Sequence, residues 1–224
     1  MDAPTAAQRT LVCAACLASL REPPWPRCPR CHFPRGTGRA PTSACLECAS
    51  WPPALARATT SAVLAPPADA LAHALKYGGW PSLADPLGAR MARLCPVPPD
   101  TVIVPVPTTA ARSRTRGYNQ AELLARAYAG ALGARVVLAL ERAREGPSQV
   151  ALAPDQRRRN VEGAFALRPL AGAGVVGRQV ALIDDVLTTG ATAGAAALAL
   201  ERGGAAGVTV ITFARALPGR GSGA

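Results

Sequence analysis

Two adjacent carboxylates and a turn of hydroxyl and glycine residues are the part of this chain best suited to chemistry. Asp184 and Asp185 follow an apolar run at 180–183 and precede a Thr-Thr-Gly-Ala-Thr turn at 188–192. Turn amides, threonine hydroxyls and a helix start suit a phosphate. The carboxylates cannot hold a phosphate themselves, but they can hold sugar hydroxyls or a metal ion. The combination therefore favours a phosphorylated ribose.

A buried strand and a helix must position that turn. The apolar run at 180–183 predicts a short strand that ends before the acidic pair, and the alanine-rich segment 195–200 predicts a helix. Ligands of open α/β sheets bind beyond the carboxyl ends of the strands. The turn lacks a Gly-Lys-Ser/Thr sequence, which excludes a Walker P-loop, and the glycine pattern at 172–177 precedes its strand, so we interpret it as a loop.

A second anion site is predicted where the strand at 102–107 meets the helix at 121–132. Hydroxyl, guanidinium and amide donors are concentrated between them, which is typical of a site for a diphosphate. Its members are Pro107, Thr108, Thr109, Arg112, Arg114, Arg116 and Asn119. The alternative is an arginine-rich surface loop in which Asn119 only caps the helix. A long polar stretch at 141–160 has the character of a lid over a charged substrate.

Three Cys-x-x-Cys pairs lie within the first 53 residues. Two such pairs complete a tetrahedral zinc site, and the simplest assignment is one site from Cys28, Cys31, Cys45 and Cys48. Cys13 and Cys16 are less certain ligands, with His32 as their candidate partner and an exposed loop histidine as the alternative. A redox role for one pair is the main alternative to zinc, but the strand–helix context that it needs is missing.

Composition bounds the function class. Hydrophobic residues make up 49% of the 224 residues, and the formal net charge is +11. We find no apolar run long enough to span a bilayer and no signal pattern, so we expect a cytoplasmic protein without membrane insertion. The arginine excess between residues 112 and 168 suits phosphate or nucleic acid, although a general arginine bias explains it equally well.

Residues 180–192 resemble the phosphoribosyl-diphosphate signature of type I phosphoribosyltransferases. In that family the acidic pair holds the ribose 2′ and 3′ hydroxyls and the turn cradles the 5′-phosphate. The resemblance implies Asp184 and Asp185 as candidate catalytic residues. It implies a sugar-phosphate site formed by Asp184, Asp185, Leu187, Thr188, Thr189, Gly190, Ala191 and Thr192.

The chain as a whole is similar to the ComF, or competence protein F-like, family. The matching motifs are the cysteine pairs, the segments 75–78, 104–107, 116–120 and 183–192, and the polar residues of the long stretch. The resemblance implies a diphosphate loop (Pro107, Thr108, Thr109, Arg116, Asn119) and a flexible loop (Arg142, Gln149, Arg158, Asn160). Family members commonly carry four cysteine pairs, of which the first is absent here.

The expected fold class is α/β, with a type I phosphoribosyltransferase-like, mostly parallel sheet and flanking helices. A small cysteine-rich, zinc-ribbon-like module at 1–53 precedes the phosphoribosyltransferase-like domain at 54–217, and a tail follows at 218–224. A boundary is predicted at the Trp-Pro-Pro sequence 51–53, because prolines interrupt regular structure there.

The resemblance implies a bacterial protein that binds phosphoribosyl diphosphate with Mg²⁺, carries structural Zn²⁺ and is linked to DNA uptake in natural transformation. A non-catalytic adaptor for single-stranded DNA or DNA-processing proteins is the alternative. The sequence identifies no acceptor base. Transferase activity with an unknown acceptor is therefore an open question at this stage.

Overall fold

The computed structural model describes residues 12–36, 45–142 and 163–217. The predicted tail at 218–224 and residues 143–160 of the predicted lid lie outside the described residues.

A parallel sheet of four strands forms the centre of the molecule. Its strand order is β1, β6, β5, β2, so β5 lies in the interior of the sheet. The strands are β1 (Leu55–Val63), β2 (Val102–Pro105), β5 (Gln179–Leu187) and β6 (Gly207–Arg215), and a separate antiparallel pair is formed by β3 (Leu140–Arg142) and β4 (Phe165–Leu167). A mostly parallel sheet is the arrangement that the sequence predicts.

Six helices of the described residues accompany the strands. They are α1 (Ala14–Ala18), α2 (Ala68–Tyr77), α3 (Ala84–Leu94), α4 (Ala110–Arg116), α5 (Gln120–Leu132) and α6 (Ala191–Arg202). Gly133 ends α5 in the left-handed conformation (φ 66°) that glycine adopts without a steric penalty. The expected helices are confirmed, with α6 starting earlier than the predicted 195 because its first turn follows Gly190 directly.

Three local predictions are wrong. Strand β5 continues through the acidic pair to Leu187 instead of ending at residue 183, because it pairs with β6 along its whole length. The arginine-rich segment after β2 is the helix α4 where we expect a loop. The apolar run at 135–140 predicts a further strand, yet before β3 this segment pairs with the parallel sheet through an isolated bridge between Val136 and Ile103.

The sheet separates two apolar cores, because neighbouring residues of a strand face opposite sides. On β5, Val180 and Leu182 belong to the core that also contains α6, whereas Ala181 and Ile183 belong to the core that contains α2, α3 and α5. The cysteine-rich segment contributes to the α6 core through the buried Cys28, Cys31, Cys48 and Trp51. The segment around α1 packs on the other side, through Val12 and Leu20.

Within the described part of the chain, none of the helices combines the length and the apolar character needed to cross a membrane.

Candidate functional site

The acidic pair lies within β5 and lines a pocket of about 460 Å³. Asp185 is almost fully buried, and its Oδ2 atom lies 2.7 Å from Nζ of Lys76, the last residue but one of α2. Tyr118 holds this end of α2 in place, since its hydroxyl donates to the carbonyl of Leu75 over 2.7 Å. The buried carboxylate of Asp185 therefore has a lysine counter-charge.

Within the described ranges, Asp184 forms no ion pair. Burial raises its pKa well above the usual range, the negative charge of Asp185 raises it further, and Lys76 only partly opposes both effects. The Oδ1 atom of Asp184 accepts from the Asp185 amide over 2.9 Å. A ligand that brings hydroxyl donors or a cation to this carboxyl group would stabilise its ionised form.

The turn after β5 leads directly into α6. Gly190 has a φ of 84°, which favours glycine, and its carbonyl accepts from the Gly194 amide over 2.7 Å. Thr188 and Thr192 line the pocket. The side chain of Leu187 is buried in the core, so this predicted site residue can reach a ligand only through its backbone.

The remaining members of the turn have other contacts. The carbonyl of Thr189 accepts from the indole nitrogen of Trp51, and its hydroxyl accepts from the Ala191 amide over 3.4 Å. Thr189, Gly190 and Ala191 do not line the pocket with Thr188 and Thr192. The turn thus has one face toward the pocket and another toward the cysteine-rich segment.

The predicted diphosphate loop contributes to the same pocket. Pro107, Thr108, Arg116 and Asn119 line it, whereas Thr109 is the N-cap of α4 and accepts from the Arg112 amide. Asn119 caps α5, as the alternative interpretation expects, because its Oδ1 atom accepts from the Ala121 amide over 3.1 Å. Its Nδ2 atom donates to the Val106 carbonyl over 3.1 Å, which fixes the connection between α4 and α5 to the end of β2.

Of the predicted flexible-loop residues, Arg142 lines the same pocket, at the end of β3. Its guanidinium lies 5.3 Å from the ring centre of Phe165 on β4. Gln149, Arg158 and Asn160 lie outside the described residues.

Sequence reasoning missed Asp69 and His73, which line the pocket from α2 together with Lys76. Arg112, a member of the predicted second anion site, lines the pocket from α4. Lys76 belongs to one of the segments that carry the family resemblance, and in the structure it lines the pocket and forms an ion pair with Asp185. The spacing of Asp69, His73 and Lys76, one helical turn apart, is the signal that could have identified this face.

Four cysteines form a cluster suited to a metal ion. The ligand atoms of Cys28, Cys31, Cys45 and Cys48 all lie within 4.8 Å of one another. The Sγ atoms of Cys28 and Cys48 are 3.9 Å apart, and those of Cys31 and Cys45 are 3.7 Å apart. Tetrahedral zinc with four thiolates requires S–S separations of about 3.8 Å. The residues therefore fit the predicted structural zinc site.

Cys13 and Cys16 are not part of this cluster. Cys13 is the N-cap of α1, where its sulfur accepts from the Cys16 amide over 3.3 Å. The segment is held at the α3 side of the sheet, since the carbonyl of Leu20 accepts from the Arg90 guanidinium over 2.9 Å. His32 is partly buried, whereas the alternative interpretation expects it to be exposed, and burial with the nearby Arg27 lowers its pKa to about 4.

Comparison with known proteins gives relatives over the full chain and over parts of it. No protein-family model matches the chain. The DNA utilization protein YhgH of Salmonella typhi is 32% identical over 216 residues, which cover 92% of this chain and 91% of that protein. Competence protein F of Haemophilus influenzae is 35% identical over 115 residues, 51% of this chain and 50% of that protein. An adenine phosphoribosyltransferase of Mycobacterium tuberculosis is 52% identical over 61 residues, 26% of this chain and 29% of that protein.

Proposed function

The chain belongs to the ComF family, and from this premise we propose that its pocket binds phosphoribosyl diphosphate. One observation carries the proposal. The acidic pair of β5, the threonines of the turn and the arginine-rich α4 segment, which are far apart in the sequence, line a single pocket. The local similarity to an adenine phosphoribosyltransferase supports the same ligand.

Different groups of pocket residues suit different parts of that ligand. Asp184 and Asp185 supply acceptors for the two ribose hydroxyls, and Thr188 and Thr192 lie where the 5′-phosphate would be held at the start of α6. Arg116 and Arg142 line the same pocket and supply positive charge for the diphosphate. Mg²⁺ would arrive bound to the diphosphate, and the Asp184 carboxylate is an oxygen ligand that fits it.

The same arrangement would support loss of diphosphate from the sugar. The anomeric carbon becomes cationic in such a reaction, and the leaving oxygens gain negative charge. Fixed guanidinium groups and a held ribose would then contribute through charge stabilisation and positioning. The acceptor is unidentified, so binding of phosphoribosyl diphosphate is the proposal and diphosphate release with candidate bases is its extension.

Calorimetry on the zinc-loaded chain with phosphoribosyl diphosphate and magnesium tests the proposal. Binding is expected in the wild type and is expected to weaken about ten- to a hundredfold in Asp184→Asn, which loses a charged hydrogen-bond acceptor. Asp85→Asn is the matched control, because Asp85 is exposed on α3 and does not line the pocket. Absence of binding to the wild type would refute the proposed function.

A second candidate function is binding of single-stranded DNA, in keeping with the names of the relatives. The observation in its favour is a pair of exposed aromatic side chains at the end of α2, Tyr77 (63% exposed) and Trp80 (48%). The Arg116 guanidinium lies 4.7 Å from the Tyr77 ring centre. Aromatic faces beside arginines are typical of surfaces on which bases stack.

Fluorescence anisotropy with a labelled oligothymidylate tests this function. Affinity is expected to fall steeply with salt, and Tyr77→Ala is expected to weaken it by about fivefold or more. Tyr77→Phe, which keeps the ring, is the control and should bind as the wild type does. Affinity that is insensitive to both salt and Tyr77→Ala would exclude this surface.

A further inference from the structure

Trp51 connects the cysteine-rich segment to the turn after β5. Its side chain is buried, and its Nε1 atom donates to the carbonyl of Thr189 over 2.8 Å, across 138 positions of the chain. The sequence indicates only a domain boundary at this residue. In the structure it is a contact between the two predicted domains.

The backbone of the turn lies directly against the indole ring. A Cβ atom on Gly190 would be only 2.5 Å from Nε1 and 2.6 Å from Cε2 of Trp51, so a side chain at this position would collide with the ring. One helical turn later, a Cβ on Gly194 would lie 3.0 Å from Cδ of Pro52. The two glycines thus allow the side chains of Trp51 and Pro52 to approach the turn and the start of α6 closely.

Arg30 connects the Trp51 region to the cysteine cluster through hydrogen bonds. It lies between Cys28 and Cys31, and its guanidinium donates to the carbonyls of Cys48 (3.0 Å), Pro52 (3.1 Å) and Leu55 (3.0 Å). The guanidinium carbon also lies 5.9 Å from the ring centre of Trp51. Arginine presents its donors in a rigid planar fork, so one side chain can fix several carbonyls at once. Arg30 therefore connects the cysteine cluster to the backbone on both sides of Trp51.

We propose that the four-cysteine metal centre holds the 188–192 turn, through Arg30 and Trp51, in the conformation that accepts the sugar 5′-phosphate. Trp51 is then a positioning residue of the phosphate site, and the metal is required for phosphate affinity as well as for stability. This inference rests on the proposed binding of phosphoribosyl diphosphate.

Two ligand fragments separate positioning from general stability. Ribose 5-phosphate requires the 188–192 turn, whereas inorganic diphosphate with magnesium requires Arg116 and Arg142, which line the same pocket. A loss confined to the first ligand indicates an effect on the turn. An equal loss for both ligands indicates that the pocket as a whole is damaged.

Trp51→Phe is the test variant, because phenylalanine retains an aromatic ring and lacks the indole N–H donor. In the zinc-loaded full chain it is expected to weaken ribose 5-phosphate binding about five- to tenfold, the effect of one lost hydrogen bond. Diphosphate binding should stay within about twofold of the wild type, well below the effect of one hydrogen bond. Trp25→Phe is the matched control, since Trp25 lies in the same segment but is 74% exposed. It should leave both affinities unchanged.

Hydrogen exchange provides a readout that needs no ligand. Both Trp51→Phe and removal of zinc by a chelator are expected to accelerate amide exchange at residues 188–192 more than at residues 110–116. Unchanged ribose 5-phosphate affinity and unchanged exchange in Trp51→Phe would overturn the inference while leaving the proposed function intact. A wild-type protein that binds neither fragment nor phosphoribosyl diphosphate would overturn both.

Discussion

At the scale of single residues, the two aspartates differ in their electrostatic environment although they are neighbours. Asp185 is paired with Lys76 at 2.7 Å, whereas the pKa of Asp184 is raised by burial and by the charge of Asp185. A ligand with hydroxyl groups or a magnesium ion would stabilise the ionised carboxylate of Asp184 more than that of Asp185. This asymmetry leads to two predictions.

Asp184→Asn is expected to stabilise the ligand-free protein at neutral pH by about 1 kcal/mol, a size typical of single substitutions. Because the pKa of Asp184 is higher in the folded than in the unfolded state, the folded protein binds the proton more tightly. The contribution of this group to stability is therefore largest at low pH and falls as pH rises from the unfolded to the folded pKa. Urea unfolding of wild type and variant over that range measures the difference, which should vanish in acid.

Lys76→Met is expected to destabilise the protein by about 3 kcal/mol, because it leaves the buried Asp185 without its counter-ion. The double variant Lys76→Met with Asp185→Asn should recover much of that loss. Thermal unfolding of the four proteins in this double-mutant cycle gives the coupling energy. If the two single substitutions have additive effects on the free energy of unfolding, the ion pair does not contribute to stability.

At the scale of elements, the turn between β5 and α6 depends on a glycine for two separate reasons. Gly190 has a positive φ, and it also leaves room for the Trp51 ring. The sequence alone predicts the first reason, because a glycine in a turn before a helix has a clear conformational use. The second depends on residues 139 positions away and could not be predicted.

Gly190→Ala is expected to be more destabilising than Gly133→Ala, and to reduce ribose 5-phosphate binding. Gly133 also has a positive φ (66°), but a Cβ there would meet nothing within 4 Å, so its replacement costs only backbone strain of about 1 kcal/mol. The difference between the two variants measures the collision with Trp51. Denaturant unfolding of both variants, with calorimetry on the folded protein, checks the prediction; equal unfolding free energies would contradict it.

Elements that depend on local interactions could be predicted from the sequence, whereas tertiary contacts could not. Strands β2 and β5, helices α5 and α6 and the cysteine cluster follow from apolar runs, helix-forming residues and pair spacing, and they are observed. The strand expected at 135–140 is not formed before β3. The ion pair of Lys76 and the extension of β5 to Leu187 arise from tertiary pairing, which no local pattern contains. Asn119 is an intermediate case. The sequence allows helix capping as one of two interpretations, and the structure shows that Asn119 caps α5.

At the scale of the whole molecule, the cysteine-rich segment shares a core with the sheet. Cys28, Cys31 and Trp51 pack in the same cluster as β5 and α6, and the fully buried Arg215 of β6 donates to the carbonyl of Cys31 over 2.9 Å. The boundary predicted at residue 53 therefore divides the chain at a point where many contacts cross. A four-thiolate zinc centre carries a net negative charge, which the guanidinium of Arg215 would offset.

Arg215→Met is expected to weaken zinc binding and to lower the free energy of unfolding by about 2 kcal/mol, because a buried hydrogen bond from a charged group is lost. Competition with a chromogenic chelator measures the metal affinity. Arg93→Met, at an exposed position of α3, is the control and should retain full affinity. Identical affinities in the two variants would exclude a role for Arg215 at the metal centre.

The contact between Cys31 and Arg215 also bears on the order in which the protein can mature. The two residues are 184 positions apart, so the cysteine-rich segment leaves the ribosome long before the strand that covers it has been synthesised. During that interval the thiols are accessible to zinc, to oxidants and to chaperones. Zinc capture by the nascent chain would protect these cysteines before β6 completes the fold.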